Sequence, residues 1–110
     1  MSDERWLPKP DRALAVVATV ARFYDVAPHE MTRPNRHRTV ARARMVAMFL
    51  LRQLSNLSFP EIGRIVNRNR DHSTVIAGVR QVERVWASDT RFQADLTELQ
   101  KRVDEAVARV

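Results

Sequence analysis

Apolar residues recur at intervals of three and four through most of the chain, the period of a helix with one buried face. Leu14, Val16, Val17, Val20, Ala21 and Tyr24 predict a first helix over 11 to 25, with Asp11 at its N-cap. Pro28 suits a helix start, and residues 28 to 32 read as a single turn. The run Arg33-Pro-Asn-Arg-His-Arg38 is a polar loop. Thr39 is then placed to cap a helix to Leu54, whose Val40, Met45, Val46, Met48, Phe49 and Leu51 make a broad apolar stripe.

Ser58-Phe-Pro-Glu61 has the pattern of a capping box and opens a short helix with Ile62, Ile65 and Val66 inward. Asn67-Arg-Asn-Arg70 ends it. Asp71 caps the next helix, with Val75, Ile76, Val79, Val82 and then Val85 or Trp86 as its inner face. Ser88-Asp89-Thr90 starts the last helix, where Phe92, Leu96, Leu99, Val103, Ala106 and Val110 form a narrow seam. The fold class expected is all-α.

Composition narrows the picture. With 110 residues, 45% of them hydrophobic and 29% charged, the chain has the profile of one compact domain, here residues 11–110 behind a tail at 1–10. The only glycines are Gly63 and Gly78, too few and too far apart for a phosphate-cradling loop, and no cysteine is present for a disulfide or a thiolate metal site. Gly63 reads as a close-packing point between two helices, and Trp6 and Trp86 as packing residues. His29, His37 and His72 lack the mutual spacing of a metal site, and no nucleophile elbow occurs. No catalytic residue, metal or cofactor is expected, and no apolar run is long enough to span a membrane. The reading is a non-enzymatic cytoplasmic protein.

Charge changes the picture most. Residues 33 to 84 hold eleven arginines against Glu61, Asp71 and Glu83, a net +8, while the segments on either side are each −1. A basic middle between weakly acidic ends points to a polyanion, nucleic acid above all. A short helix, a tight joint and a second helix lie in that segment, which is helix-turn-helix architecture. In such a unit the N-terminal residues of the second helix meet base edges in the major groove. Here they are Arg70, Asp71, His72, Ser73 and Thr74. Arginine forks onto guanine, aspartate accepts from cytosine, histidine donates to base acceptors, and threonine offers thymine a hydroxyl and a methyl. The plainer alternatives are a helix cap on a solvated surface for this run, and a solvated charged face for the arginines upstream.

The stretch Ser58-Phe-Pro-Glu-Ile-Gly63 followed by Arg70-Asp-His-Ser-Thr-Val-Ile76 and Arg80 resembles the C-terminal DNA-binding domain of the bacterial replication initiators of the DnaA family. The likeness extends upstream through Arg38-Thr-Val-Ala-Arg-Ala-Arg44 and Val20-Ala-Arg-Phe-Tyr-Asp-Val26, covering 11 to 100 in family order. It implies a Trp-repressor-like helical fold and binding of double-stranded DNA at the DnaA box, a short asymmetric A/T-rich element. It also implies base contacts from Arg70, Asp71, His72, Ser73 and Thr74 in the major groove and from Arg36 in the minor groove. Phosphate contacts would fall to Arg38, Thr39, Val40, Arg42, Arg44, Phe59 and Pro60.

Departures from the family pattern are Asn67-Arg-Asn69 in place of a Gly-Gly joint, Ser73 for a threonine, Ala77 for a histidine and Ala43 for a proline. The family's ATPase and oligomerisation regions have no counterpart in these residues, so the expectation is a stand-alone, nucleoid-associated domain regulating replication initiation or transcription. The alternatives are a low-specificity nucleoid or phage DNA-binding protein, and an adaptor that binds the initiator. The final seam, two heptads long, either packs on the chain's own helices or pairs a homodimer.

Overall fold

The computed structural model describes residues 10–31, 37–55, 57–66 and 72–109, and among them the chain is helical, with no strand. The helices are α1 (Pro10–Phe23), α2 (Pro28–Met31), α3 (Arg38–Ser55), α4 (Phe59–Val66), α5 (His72–Ser88) and α6 (Thr90–Ala108). The central helix is α3, which packs against α1, α2, α4 and α5, while α6 lies along α1 and also touches α5. Val20, Val46, Leu50, Leu51, Ile62, Val75, Val82 and Leu99 are fully buried where these helices meet. Burial of each such aliphatic side chain stabilises the fold by about 1.5–3 kcal/mol before conformational entropy is charged against it.

The helix ends show how local chemistry sets the frame. At the end of α1 the Val26 amide donates to the Ala21 carbonyl (2.8 Å) and the Asp25 amide to the Arg22 carbonyl (3.1 Å), with Asp25 at a φ of 56°. That is a Schellman turn with aspartate in the left-handed position that glycine usually takes. The capping box of α4 forms as its sequence predicts. The Glu61 amide donates to Ser58 Oγ (3.3 Å), and the Ser58 amide donates to Glu61 Oε1 (3.1 Å). A hydrogen bond from the Ser58 hydroxyl to the carboxylate, and after it the bond from the Ser58 amide, hold the Glu61 carboxyl below the usual carboxylate range. Asp89 caps α6 by accepting from the Phe92 amide (3.0 Å).

Several expectations are corrected. Helix α1 starts at Pro10, which puts Asp11 inside the first turn, not ahead of it. Likewise α3 starts at Arg38, and the carbonyl that closes its first turn onto the Ala41 amide belongs to His37, so Thr39 is not the cap. Leu14 points outward, 61% exposed. Of the pair Val85 and Trp86, Val85 packs on the core and Trp86 is 39% exposed. A close helix approach that was not expected falls at Gly78, where an added Cβ would stand 3.0 Å from Met48 Sδ. Gly63 is buried on α4. On the α6 seam Phe92, Leu96, Leu99 and Val103 are buried within the chain.

Candidate nucleic-acid interface

Two helix N-termini organise the site. Helix α5 is fixed from behind, with Val75 and Val82 buried against the core and Gly78 letting its backbone close on Met45 and Met48 of α3. Its opposite face carries the exposed Ser73, Thr74, Ala77, Arg80 and Arg84. Ser73, Ala77, Arg80 and Arg84 are spaced four, three and four residues apart and therefore form one solvent stripe. Arg84 is steadied on that stripe by Gln81, whose Oε1 accepts from Nε at 3.1 Å and also from Nη2. The helical period alone would have added Arg80 and Arg84 to the candidate contacts.

The N-terminus of α3 supplies the second arm. Arg38 and Thr39 are exposed there. Because the first ladder bond runs from the Ala41 amide to His37, the amides of Arg38, Thr39 and Val40 have no place in the helix's own ladder and are suited to an anion. Val40 itself is buried, so its contribution to a phosphate contact is confined to that amide. From the crossing at Gly78, Ser73 lies five residues back along α5 and Arg38 seven residues back from Met45 along α3. At about 1.5 Å per residue and about 10 Å between axes, the two N-termini are less than about 30 Å apart. That is a span one duplex can bridge.

The start of α4 is a weaker candidate. Pro60 is exposed but has no amide hydrogen, so it can offer a duplex only apolar surface. The Phe59 ring lies half-buried under the Arg52 guanidinium, 4.3 Å from its centroid, and Arg52 Nη1 donates to the Leu57 carbonyl (2.7 Å). Only the Phe59 amide is left for an anion, since those of Glu61 and Ile62 are taken by Ser58.

Two arginines expected on phosphate are turned toward the protein. Arg44 is buried at 7% exposure, and its Nε donates to the Met31 carbonyl (2.7 Å) and its Nη2 to the Glu30 carbonyl (3.4 Å). It thereby caps the C-terminus of α2 and ties that turn to α3, a framework role that stands beside the phosphate contact expected of it. Arg42 is half-buried with its guanidinium 5.3 Å from the Phe92 ring centroid, and it lies close enough to Tyr24 to favour the phenolate. Burial outweighs that effect, and the Tyr24 hydroxyl is held above its ordinary pKa of 10.0.

His72 begins α5. Arg36, Arg70 and Asp71, the remaining base-contacting residues expected, lie outside the described residues. Among the described residues no cluster of three or more His, Cys, Asp or Glu side chains could hold a metal ion, and no helix is long and apolar enough to cross a membrane.

Comparison with known proteins bears on this arrangement. The family model for the bacterial DnaA protein helix-turn-helix matches residues 14–82. A chromosomal replication initiator protein DnaA of Cereibacter sphaeroides is 44% identical over 82 residues, which cover 74% of this chain and 18% of that protein. The protein of the same name from Brucella abortus is 35% identical over 101 residues, covering 92% of this chain and 20% of the relative. That of Rhizobium meliloti is 34% identical over 98 residues, covering 89% and 20%. The chain spans about a fifth of the length of the curated relatives it matches.

Proposed function

Because the chain belongs to the bacterial DnaA helix-turn-helix family, we propose that it binds double-stranded DNA at DnaA-box-like sequences, as a domain and not as an enzyme. Helix α5 enters the major groove with its N-terminal end, where Arg70, Asp71, His72, Ser73 and Thr74 read bases. Arg36 reaches the minor groove. Arg38 and the amides of Thr39 and Val40 hold phosphates on one side, and Arg80 continues the contact along α5. The observation that carries this reading is the exposure of Ser73 and Thr74 at the start of a helix whose other face is locked into the core. A side chain held that way meets a base edge without first paying to be ordered.

The relatives are named replication initiators, and the role proposed for this domain is to occupy sites that govern replication initiation or transcription. The test is a gel-shift comparison of a duplex carrying the DnaA box with a scrambled duplex of equal length. Specific binding predicts a preference that falls about fivefold or more for each mismatched position, since one mismatch costs about 1–3 kcal/mol. Equal binding to both duplexes would replace this reading with a low-specificity nucleoid protein, and no binding would leave the adaptor role.

A further inference from the structure

On the flank of the molecule away from Ser73 lies a groove of about 710 Å³ lined by Phe49 on α3, Phe59 on α4, Val79 and Trp86 on α5, and Leu96 on α6. None of these side chains is used by the DNA reading except Phe59, and there only through its amide. Trp86 is 13 residues beyond Ser73, which at 3.6 residues per turn sets it about 140° around α5 from the Ser73 stripe. A duplex on that stripe leaves the groove uncovered.

We propose that a second copy of this chain covers the groove in a two-fold symmetric pair. Three observations select a copy of the chain over an unrelated partner. First, knob and socket share one surface: Trp86 is 39% exposed beside a groove whose apolar residues share its lining with the hydrogen-bonded pair Gln53 and Gln100, so in a symmetric pair each indole enters the apolar part of the other's groove. Second, the mouth is self-complementary in charge, because Arg52 on α3 and Glu83 on α5 both line it. An isologous contact requires that if one residue meets another across the interface, the reverse contact also forms. Arg52 of each copy then meets Glu83 of the other. Arg52 is already fixed by its stack on Phe59 and its bond to the Leu57 carbonyl, so little freedom is lost when the pair forms. Third, of the competing surface for a homodimer, the α6 seam, Phe92, Leu96, Leu99 and Val103 are buried within the chain.

Sedimentation equilibrium of the whole chain without DNA tests this. The expected result is a monomer–dimer equilibrium whose dissociation constant rises at least about tenfold in Trp86→Ala, as for an interface hot spot. Glu83→Arg, on an exposed position, sets arginine against Arg52 and abolishes the dimer. An equimolar mixture of Glu83→Arg with Arg52→Glu forms a heterodimer, since both cross-contacts are then again of opposite charge. A wild-type chain that stays monomeric at its highest soluble concentration overturns the proposal. So does a dimer that both Trp86→Ala and Glu83→Arg leave intact while circular dichroism shows them folded. Binding of a single-site duplex by Trp86→Ala is unchanged in every case, which separates this proposal from the DNA reading.

Discussion

The arginines of α3 and those of α5 belong to the same basic segment, yet the fold uses them differently. On α3, Arg44 donates to the carbonyls that end α2, Arg42 lies over Phe92, and Arg52 lies over Phe59. On α5, Arg80 and Arg84 stand on the exposed stripe with Ser73, and Arg84 is steadied by Gln81 on its own helix. The net charge of the segment therefore overstates how many cations face a polyanion. A guanidinium offers five donors in a fixed fork and an apolar face, which suits a helix end or a ring as well as a phosphate. Charge counts identify the kind of partner, and burial identifies which charges reach it.

The sharpest way to break this contrast is Arg44→Ala. If Arg44 holds α2 to α3, its loss leaves the Met31 carbonyl without its donor and should cost about 2–4 kcal/mol, or about 10–20 °C in Tm. Urea unfolding of the free protein measures it. A variant with wild-type stability that has lost DNA affinity would confine Arg44 to the phosphate-contacting group.

Arg38→Ala is the mirror case, with the effect moved from folding to binding. Its side chain is exposed at the start of α3, so stability should stay within about 0.5 kcal/mol of wild type. Specific and scrambled duplexes should both weaken, and the slope of log K against log salt should become shallower by about 0.9. An unchanged slope would show that Arg38 neutralises no phosphate. Between these extremes, Ser58→Ala removes the acceptor for the Glu61 amide and should lower stability by about 1 kcal/mol. A cost of that size in unfolding, with base discrimination retained, would confine the α4 N-terminus to a framework role.

What was legible in the sequence and what was not follows the same division. Ser58 and Glu61 were legible as a capping box, and Ser88-Asp89-Thr90 as the start of α6, because such signals are made within four residues of chain. The burial of Phe92, Leu96, Leu99 and Val103 was legible because their spacing permits only one face. Arg44 was not, since its partner is a backbone carbonyl thirteen residues away, and no residue type marks a carbonyl as needing a donor. Trp86 was misplaced because Val85 and Trp86 fit the period equally well until the position of α6 decides between them. Thr39 was two residues past the capping position that His37 takes, and Asp11 fell inside the first turn of α1, the usual uncertainty when several polar residues precede a helix. Of the candidate site, the family resemblance offered the run at 70–74, and of it Ser73 and Thr74 are exposed near the start of α5.

The smallest effect tests the residue that sits between the two classes. Tyr24 is the chain's only tyrosine, so its ionisation can be followed at one wavelength without interference from another phenol. Burial raises its pKa above 10.0, and Arg42, the next largest influence, partly opposes that rise. A folded-state value above the unfolded one means the tyrosine's contribution is fully present below pH 10 and is lost as pH rises through the folded value. Stability should therefore hold through neutral pH and fall only in alkali. Arg42→Ala removes the cation that favours the phenolate and should move the titration further up. If DNA draws the Arg42 guanidinium away from Phe92 onto a phosphate, adding the cognate duplex to wild type should shift Tyr24 in the same direction. A titration unmoved by Arg42→Ala would mean that the guanidinium faces solvent, and Arg42 would then belong with Arg38 and not with Arg44.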